Sequence, residues 1–206
     1  MSQMPLFASS DRNVLVDDAR GRIVYTPGVV ADAVARAWFA ELRECVAWQS
    51  QRRRMYDRDV DVPRLTAHFW LVPDDGGGLP AAIRQAAHTV VAVTGVPFNT
   101  VGLNLYRDGR DSVAPHGDHT DEIVPGFPIA LLSLGATRRM TIRATEPPRQ
   151  TLRVDLEAGS LLVMSYETQL RYTHGIPKIA QPVGPRISLA FRIKPTPDVA
   201  ETSFYR

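Results

Sequence analysis

The spacing of apolar residues changes character about halfway along the chain. Over residues 29–48 the apolar positions, among them Val30, Val34, Trp38 and Leu42, recur at helical intervals without Gly or Pro, which predicts a helix. A second helix follows Pro80, runs from Ala81 to about Val93, and is closed by Gly95, a residue type suited to helix ends. From Asn99 onward the pattern shortens to β-type runs at 99–106, 129–134, 139–144, 151–155, 160–165 and 186–194, separated by Gly and Pro. Residues 1–27 read as an N-terminal arm ending in a short strand, Arg22-Ile-Val-Tyr25, and 28–206 read as one domain. The segments at 73–80 and 145–150 read as connecting loops. Helices first and many short strands afterwards predict an α+β chain that is mainly β, a sandwich or jelly roll with helices on one face.

Two of these strands carry polar residues on one face only. In the run 186–193, Ile187, Leu189, Phe191 and Ile193 share one side, and Arg186, Ser188, Ala190 and Arg192 share the other, because strand side chains alternate. Small residues between two arginines leave a groove. The two Arg Cα atoms lie roughly 20 Å apart at the usual strand rise, so inward-leaning side chains could hold opposite ends of a short diacid, each guanidinium gripping a carboxylate with its planar fork. In the run 101–106, Asn104 and Tyr106 share a face opposite Leu103 and Leu105. If that face is buried they need polar partners, and the oxygens of a diacid would serve.

Composition narrows the class without deciding it. The chain has 206 residues, 44% hydrophobic and 22% charged, which excludes a disordered or fibrous protein. Its net charge is only +2, but a pI near 8.9 leaves room for a locally basic face. The single cysteine, Cys45, excludes an intrachain disulfide framework and fits a reducing compartment. The start lacks the features of a signal peptide, and no apolar run approaches the roughly 18 residues of a membrane span. The expectation is a cytoplasmic protein that does not enter a membrane.

The chemistry concentrates in His116-Gly-Asp118 and the distant His174. On an extended segment His116 and Asp118 point the same way, with Gly117 between them removing bulk. Two imidazoles and one carboxylate make the ligand set of a non-haem Fe(II) oxygenase, which leaves metal positions open for a cosubstrate and oxygen. The two arginines after His174 suggest that the cosubstrate is a dicarboxylate. A zinc hydrolase uses a similar set, but it needs a nearby general base and has no need for paired arginines. His68 and His88 read as structural residues of the helical part, and His119 points away from the face of Asp118.

From about Val62 to Lys194 the chain resembles the AlkB-type Fe(II)/2-oxoglutarate-dependent dioxygenases, which repair alkylated nucleobases. The elements that carry the resemblance are Val62-Pro-Arg64, Asn104-x-Tyr106-x-x-Gly109-x-Asp111, His116-x-Asp118, Gly159-Ser-Leu-Leu-Val-Met164, His174 and Arg186-x-Ser188-x-x-x-Arg192. The resemblance implies a double-stranded β-helix (jelly roll) with N-terminal helices. It implies Fe(II) on His116, Asp118 and His174, with O2 as the other substrate. It also implies 2-oxoglutarate held by Asn104, Tyr106, Arg186 and Arg192, together with Ser188 and the backbone around Leu105. Ser188 stands where the family commonly carries Asn. Asp121-Glu122, which resembles the family's contact to the substrate base, comes one position late.

The implied reaction is oxidative demethylation of bases such as 1-methyladenine and 3-methylcytosine in single- or double-stranded DNA, by a monomer. The base would be flipped out of the stack, with Phe69 or Trp70 placed to stack on it. Arg52, Arg53 and Arg54, in what reads as a loop after the first helix, and Arg138 are candidates for phosphate contact, although Asp57, Asp59 and Asp61 interleave with the first group. The competing readings are the same chemistry on RNA, hydroxylation of a protein or small molecule, and a catalytically silent jelly-roll binding module.

Overall fold

In the computed structural model, which describes residues 12–55, 58–71 and 78–195, the chain opens with the strands β1 (Asn13–Asp18) and β2 (Gly21–Thr26), then helix α1 (Asp32–Cys45), β3 (Gln49–Met55) and β4 (Arg58–Trp70). Helix α2 (Ala81–Thr94) leads into β5 (Thr100–Tyr106), β6 (Val113–His116) and a 3₁₀ turn at Thr120–Glu122. Four strands follow: β7 (Ile129–Gly135), β8 (Arg138–Ala144), β9 (Thr151–Leu156) and β10 (Leu161–Met164). Helix α3 (Tyr166–Arg171), β11 (Tyr172–Ile176) and β12 (Arg186–Arg192) complete the order.

The strands form an eight-stranded sheet in the order β1-β2-β10-β7-β12-β5-β4-β3 and a four-stranded sheet in the order β6-β11-β8-β9. From β5 onward the chain crosses repeatedly between the two sheets, and the pairings are antiparallel. This is the double-stranded β-helix that the motifs imply. The stretch read as an arm contributes its hairpin to the large sheet, because β2 pairs with β10 through Tyr25↔Leu162 and its neighbours.

Alternation along the central strands of the large sheet separates two cores. Val101, Leu103, Leu105, Ile187, Leu189 and Phe191 face α1 and α2, where they meet Trp38, Leu42, Ile83 and Val90. Tyr106, Leu131, Leu162 and Ala190 face the small sheet, where they meet Ile142, Val154 and Leu156. Helix α1 is shorter than the apolar spacing predicts. The Val30 N–H donates instead to the Gly159 carbonyl at 3.0 Å, and Val46 leaves the helix in extended backbone on the way to β3. Helix α2 stops where Gly95 predicts. That residue adopts φ 71° and donates its N–H to the Val91 carbonyl at 2.8 Å, a left-handed cap that glycine takes without strain.

The segment holding Arg52, Arg53 and Arg54 is not a loop. It is strand β3, and its register sets Arg52 against Asp61, Arg53 against Val60 and Arg54 against Asp59 on β4. Asp61 and Asp59 thus stand across the ladder from Arg52 and Arg54. The side chains of 51–61, and residues 72–77 of the loop read at 73–80, lie outside the described residues.

Candidate active site

Strand register brings the metal-ligand candidates together. On the small sheet β11 pairs with β6 so that His174 lies directly opposite His116, and their imidazole centroids are 4.5 Å apart. Asp118 follows two residues after the end of β6, and its Oδ1 is 3.8 Å from Nε2 of each histidine. The three donor atoms all lie within 4.8 Å of one another. Gly117 allows this. A Cβ there would stand 2.6 Å from the Gln169 carbonyl oxygen, so any larger residue would push the turn off α3. The Gln169 side chain accepts the Asp118 N–H at 3.1 Å, fixing the carboxylate from behind.

Hydrogen bonds and charge prepare the three groups for a cation. With Nδ1–H donating to the Ala114 carbonyl at 2.9 Å, His116 presents Nε2 toward Asp118, the outer contact that orients a ligating imidazole. Burial pushes His174 down to about 4, outweighing the opposite pull of Asp118, so its ring is neutral and its lone pair available at pH 7. Burial works against ionisation of Asp118, but the Arg192 guanidinium and the two histidines prevail and hold its carboxyl below the usual range. Arg192 donates Nε–H to Asp118 Oδ2 at 2.6 Å, and its Nη2 approaches the same oxygen at 2.6 Å.

The donor set fits Fe(II): two imidazoles and one carboxylate on one side, with the other side facing a cavity. That cavity, of about 730 Å³, is lined by His116, Asp118, Arg192, Arg64, His68 and Glu122 among others. Beyond it, the face of β12 that the alternation predicts is the inner one. Arg186 is 1% exposed, donates Nη2–H to Ser133 Oγ at 2.8 Å, and stands 5.3 Å from the Tyr106 ring centroid. Among the described residues its buried Nε has no hydrogen-bond partner. A buried guanidinium with an unused donor and no carboxylate bonded to it suits one end of a diacid, so the residues present also fit 2-oxoglutarate. Ser188, buried, lies across the ladder from Asn104 and Ser133. Asn104 accepts Arg64 Nε–H at 2.7 Å.

Several candidates need correction. Arg138 is 2% exposed and donates to the carbonyls of Asp108, Asp111 and Pro177 at 2.8–2.9 Å. It is a buried clip between loops and out of reach of a phosphate. Phe69 packs against the helix-side core and cannot stack on a base in the cavity. Trp70 occupies the opposite face of β4, edge-on to His68 with centroids 6.0 Å apart; of these three residues, His68 lines the cavity. His68 is therefore a strand residue at the site rather than a structural residue of the helical part. Leu105 turns its side chain into the helix-side core, leaving only its backbone on a strand paired at both edges. Of the acidic pair, Glu122 lines the cavity, whereas Asp121 is exposed and does not.

Sequence reading missed α3 and the rim. The run 166–171 has no Gly or Pro and follows Ser165, a residue type favoured at helix starts, and that was the available signal for α3. Lys178 and Lys194, the chain's only two lysines, both line the cavity. Lys194 donates to Glu122 Oε2 at 2.9 Å. Among the described residues lining the cavity, Glu122 is the only carboxylate besides Asp118. The two arginines on β12, for which a zinc hydrolase has no need, weigh against the zinc reading.

A family model described as the 2OG-Fe(II) oxygenase superfamily matches residues 22–192. The chain belongs to this superfamily. Its name contains both components that the site fits. The bovine (Bos taurus) alpha-ketoglutarate-dependent dioxygenase alkB homolog 3 is 31% identical over 187 residues, covering 83% of this chain and 65% of that protein. The human (Homo sapiens) DNA oxidative demethylase ALKBH2 is 38% identical over 121 residues, covering 55% of this chain and 46% of that protein. The chain thus spans just under two thirds of the length of the first relative and under half of the second. Two solved structures share the fold of this chain. A Pseudomonas putida prolyl-4-hydroxylase matches with TM-score 0.55 and 17% identity over 84% of this chain and 93% of that one. OsALKBH1 matches with TM-score 0.56 and 16% identity over 82% of this chain and 97% of that one.

Proposed function

We propose that this oxygenase removes methyl groups oxidatively from N-alkylated bases of the 1-methyladenine and 3-methylcytosine type in DNA, and so repairs alkylation damage. The observation that carries the reading is the cavity itself: His116 and Asp118 of the three-residue cluster line one side, and the Glu122 carboxylate stands at its rim. A methylated base that enters the cavity passes the Glu122 carboxylate, paired with Lys194, on its way to the metal ligands. The likeness to two proteins named for the AlkB type supports the same substrate class.

When bound, Fe(II) and 2-oxoglutarate supply the oxidation: O2 gives one oxygen to the N-methyl carbon and the other to succinate, with loss of CO2. The resulting N-hydroxymethyl group leaves as formaldehyde, and the ring nitrogen keeps its electron pair. The chain's own residues provide placement and exclusion of water. Arg192 holds Asp118 ionised and fixed, the Ala114 carbonyl orients His116, and Gln169 braces the turn between them. Arg186, sealed below, would receive the distal carboxylate. Reaching the site costs a few kcal/mol of base flipping, which the contacts of the cavity must supply.

The test is mass spectrometry of a 1-methyladenine oligonucleotide incubated with protein, Fe(II), ascorbate and 2-oxoglutarate in air. Loss of one methyl mass, abolished by His116→Ala, is expected. Succinate formation without methyl loss would keep the oxygenase and discard this substrate. Neither product from iron-loaded protein would leave a silent binding module.

A further inference from the structure

The rim carboxylate does not face the cavity alone. Lys194 donates to Glu122 at 2.9 Å, and its side chain is 26% exposed against 56% for Glu122. Its backbone is clamped on both sides: Asn99 Nδ2–H donates to the Lys194 carbonyl at 2.8 Å, and the Lys194 N–H donates to Asn99 Oδ1 at 2.8 Å. The adjoining Ile193 carbonyl accepts the Val124 N–H at 2.8 Å, tying the end of β12 to the segment just after the 3₁₀ turn that carries Glu122. The ammonium is therefore held beside the carboxylate by fixed backbone. The other carboxylate of the cavity, Asp118, is already matched by Arg192.

We infer that Lys194 determines specificity: by neutralising Glu122 at the rim, it weakens the preference of the site for cationic over neutral methylated bases. This deepens the nucleobase reading above and rests on it. With the pair intact, Glu122 and Lys194 together present no net charge to an entering base, so Glu122 does not select a charged N-methylated ring over a neutral one. Removing the ammonium leaves one negative charge facing the base. Removing the carboxylate leaves one positive charge. At contact range near a protein surface, one unit of charge is enough to move discrimination by about tenfold, or about 1.4 kcal/mol.

The experiment compares kcat/KM on two oligonucleotides methylated at the same ring nitrogen, one holding cationic 3-methylcytosine and one holding neutral 3-methylthymine. It uses the iron-loaded protein and four variants. Lys194→Met is expected to raise the cation-to-neutral ratio about tenfold, and Glu122→Gln to lower it by a similar factor. The double variant should return the ratio close to that of the parent, and Lys194→Arg should match the parent. A purely structural role for the pair would depress both substrates together and leave the ratio where it was in every variant. That result overturns the inference while leaving the nucleobase reading intact. A parent protein that turns over neither oligonucleotide but converts 2-oxoglutarate to succinate overturns both.

Discussion

The two ends of the site are built on opposite terms. At the inner end Arg186 is 1% exposed and lies on a central strand, against Ser133 and the Tyr106 ring. At the outer end the Glu122 side chain is 56% exposed and sits on a short 3₁₀ turn, held by one lysine from beyond the end of the same strand β12. Packing fixes the first arrangement, and exchanging any member would disturb a core. The second is a surface ion pair, worth about 0–1 kcal/mol to stability, and can change with little effect on the fold. On the proposed reading, the sealed end grips the cosubstrate shared across the superfamily, and choice among substrates falls to the open end.

The sharpest break of that contrast is Arg186→Met. It keeps length and removes the buried charge, so 2-oxoglutarate should lose a bidentate, charge-assisted contact. The expected loss of affinity is about 100-fold, from two hydrogen bonds to a charged group at about 1.5 kcal/mol each. Calorimetric titration of 2-oxoglutarate into the Mn(II)-loaded protein without oxygen reads this directly, apart from turnover. Unchanged affinity would place the diacid elsewhere, and the orphaned Nε would need another explanation.

How legible each end was follows from the same difference. The inner face of β12 could be read from sequence because its information is local: alternation alone puts Arg186, Ser188, Ala190 and Arg192 on one side. The His116-Gly-Asp118 turn was legible for the same reason. The pairing of Glu122 with Lys194 was not, since the two are 72 residues apart and meet only because β12 ends beside the 3₁₀ turn. The error at Arg138 is instructive. Arg138 and Arg139 are neighbours on a strand and so face opposite sides; Arg139 is outside, paired with Asp155 at 2.7 Å, and Arg138 is inside. Alternation contains that answer, whereas charge alone suggests a surface for Arg138. Strand β4 escaped for a different reason. Its first residues, Arg-Asp-Val-Asp, carry the charge pattern of a loop, and only pairing with β3 makes them a strand.

A smaller effect tests the cap on the sealed end. Asp111 is 4% exposed and receives the Arg107 backbone N–H, Nε–H and Nη2–H at 2.8–2.9 Å, and its carbonyl is one of those held by Arg138. Burial raises its affinity for a proton, but the bonds from Arg107 overcome this and hold the carboxyl below the usual range. A depressed folded-state value stabilises the protein above the unfolded value of about 3.9, and that contribution is lost as pH falls through the folded value. Asp111→Asn should cost about 1–3 kcal/mol at pH 7. In urea unfolding, the gap between parent and variant should hold from about pH 8 to pH 5 and narrow below about pH 4. A gap that stayed constant into acid would mean that packing, not charge, carries the contribution of Asp111.

The smallest expected effect lies furthest out, on β3. If Arg52, Arg53 and Arg54 meet nucleic-acid phosphates, each neutralised cation should lower the slope of log affinity against log salt by about 1. The register argues that the three are not equal. Arg52 and Arg54 stand in register with Asp61 and Asp59, whereas Arg53 stands in register with Val60. An acid at the partner position lowers the local positive charge, so fewer counterions are released when phosphate binds there. Arg53→Gln should therefore take the larger share of the slope, and Arg52→Gln and Arg54→Gln should each take less than a full unit, measured by fluorescence anisotropy on an unmodified oligonucleotide between about 50 and 200 mM salt. Equal losses at all three would show that the acids on β4 do not set the charge seen by the backbone. No loss at any would remove β3 from the nucleic-acid interface and leave substrate engagement to the rim of the cavity, where Lys178 and Lys194 stand.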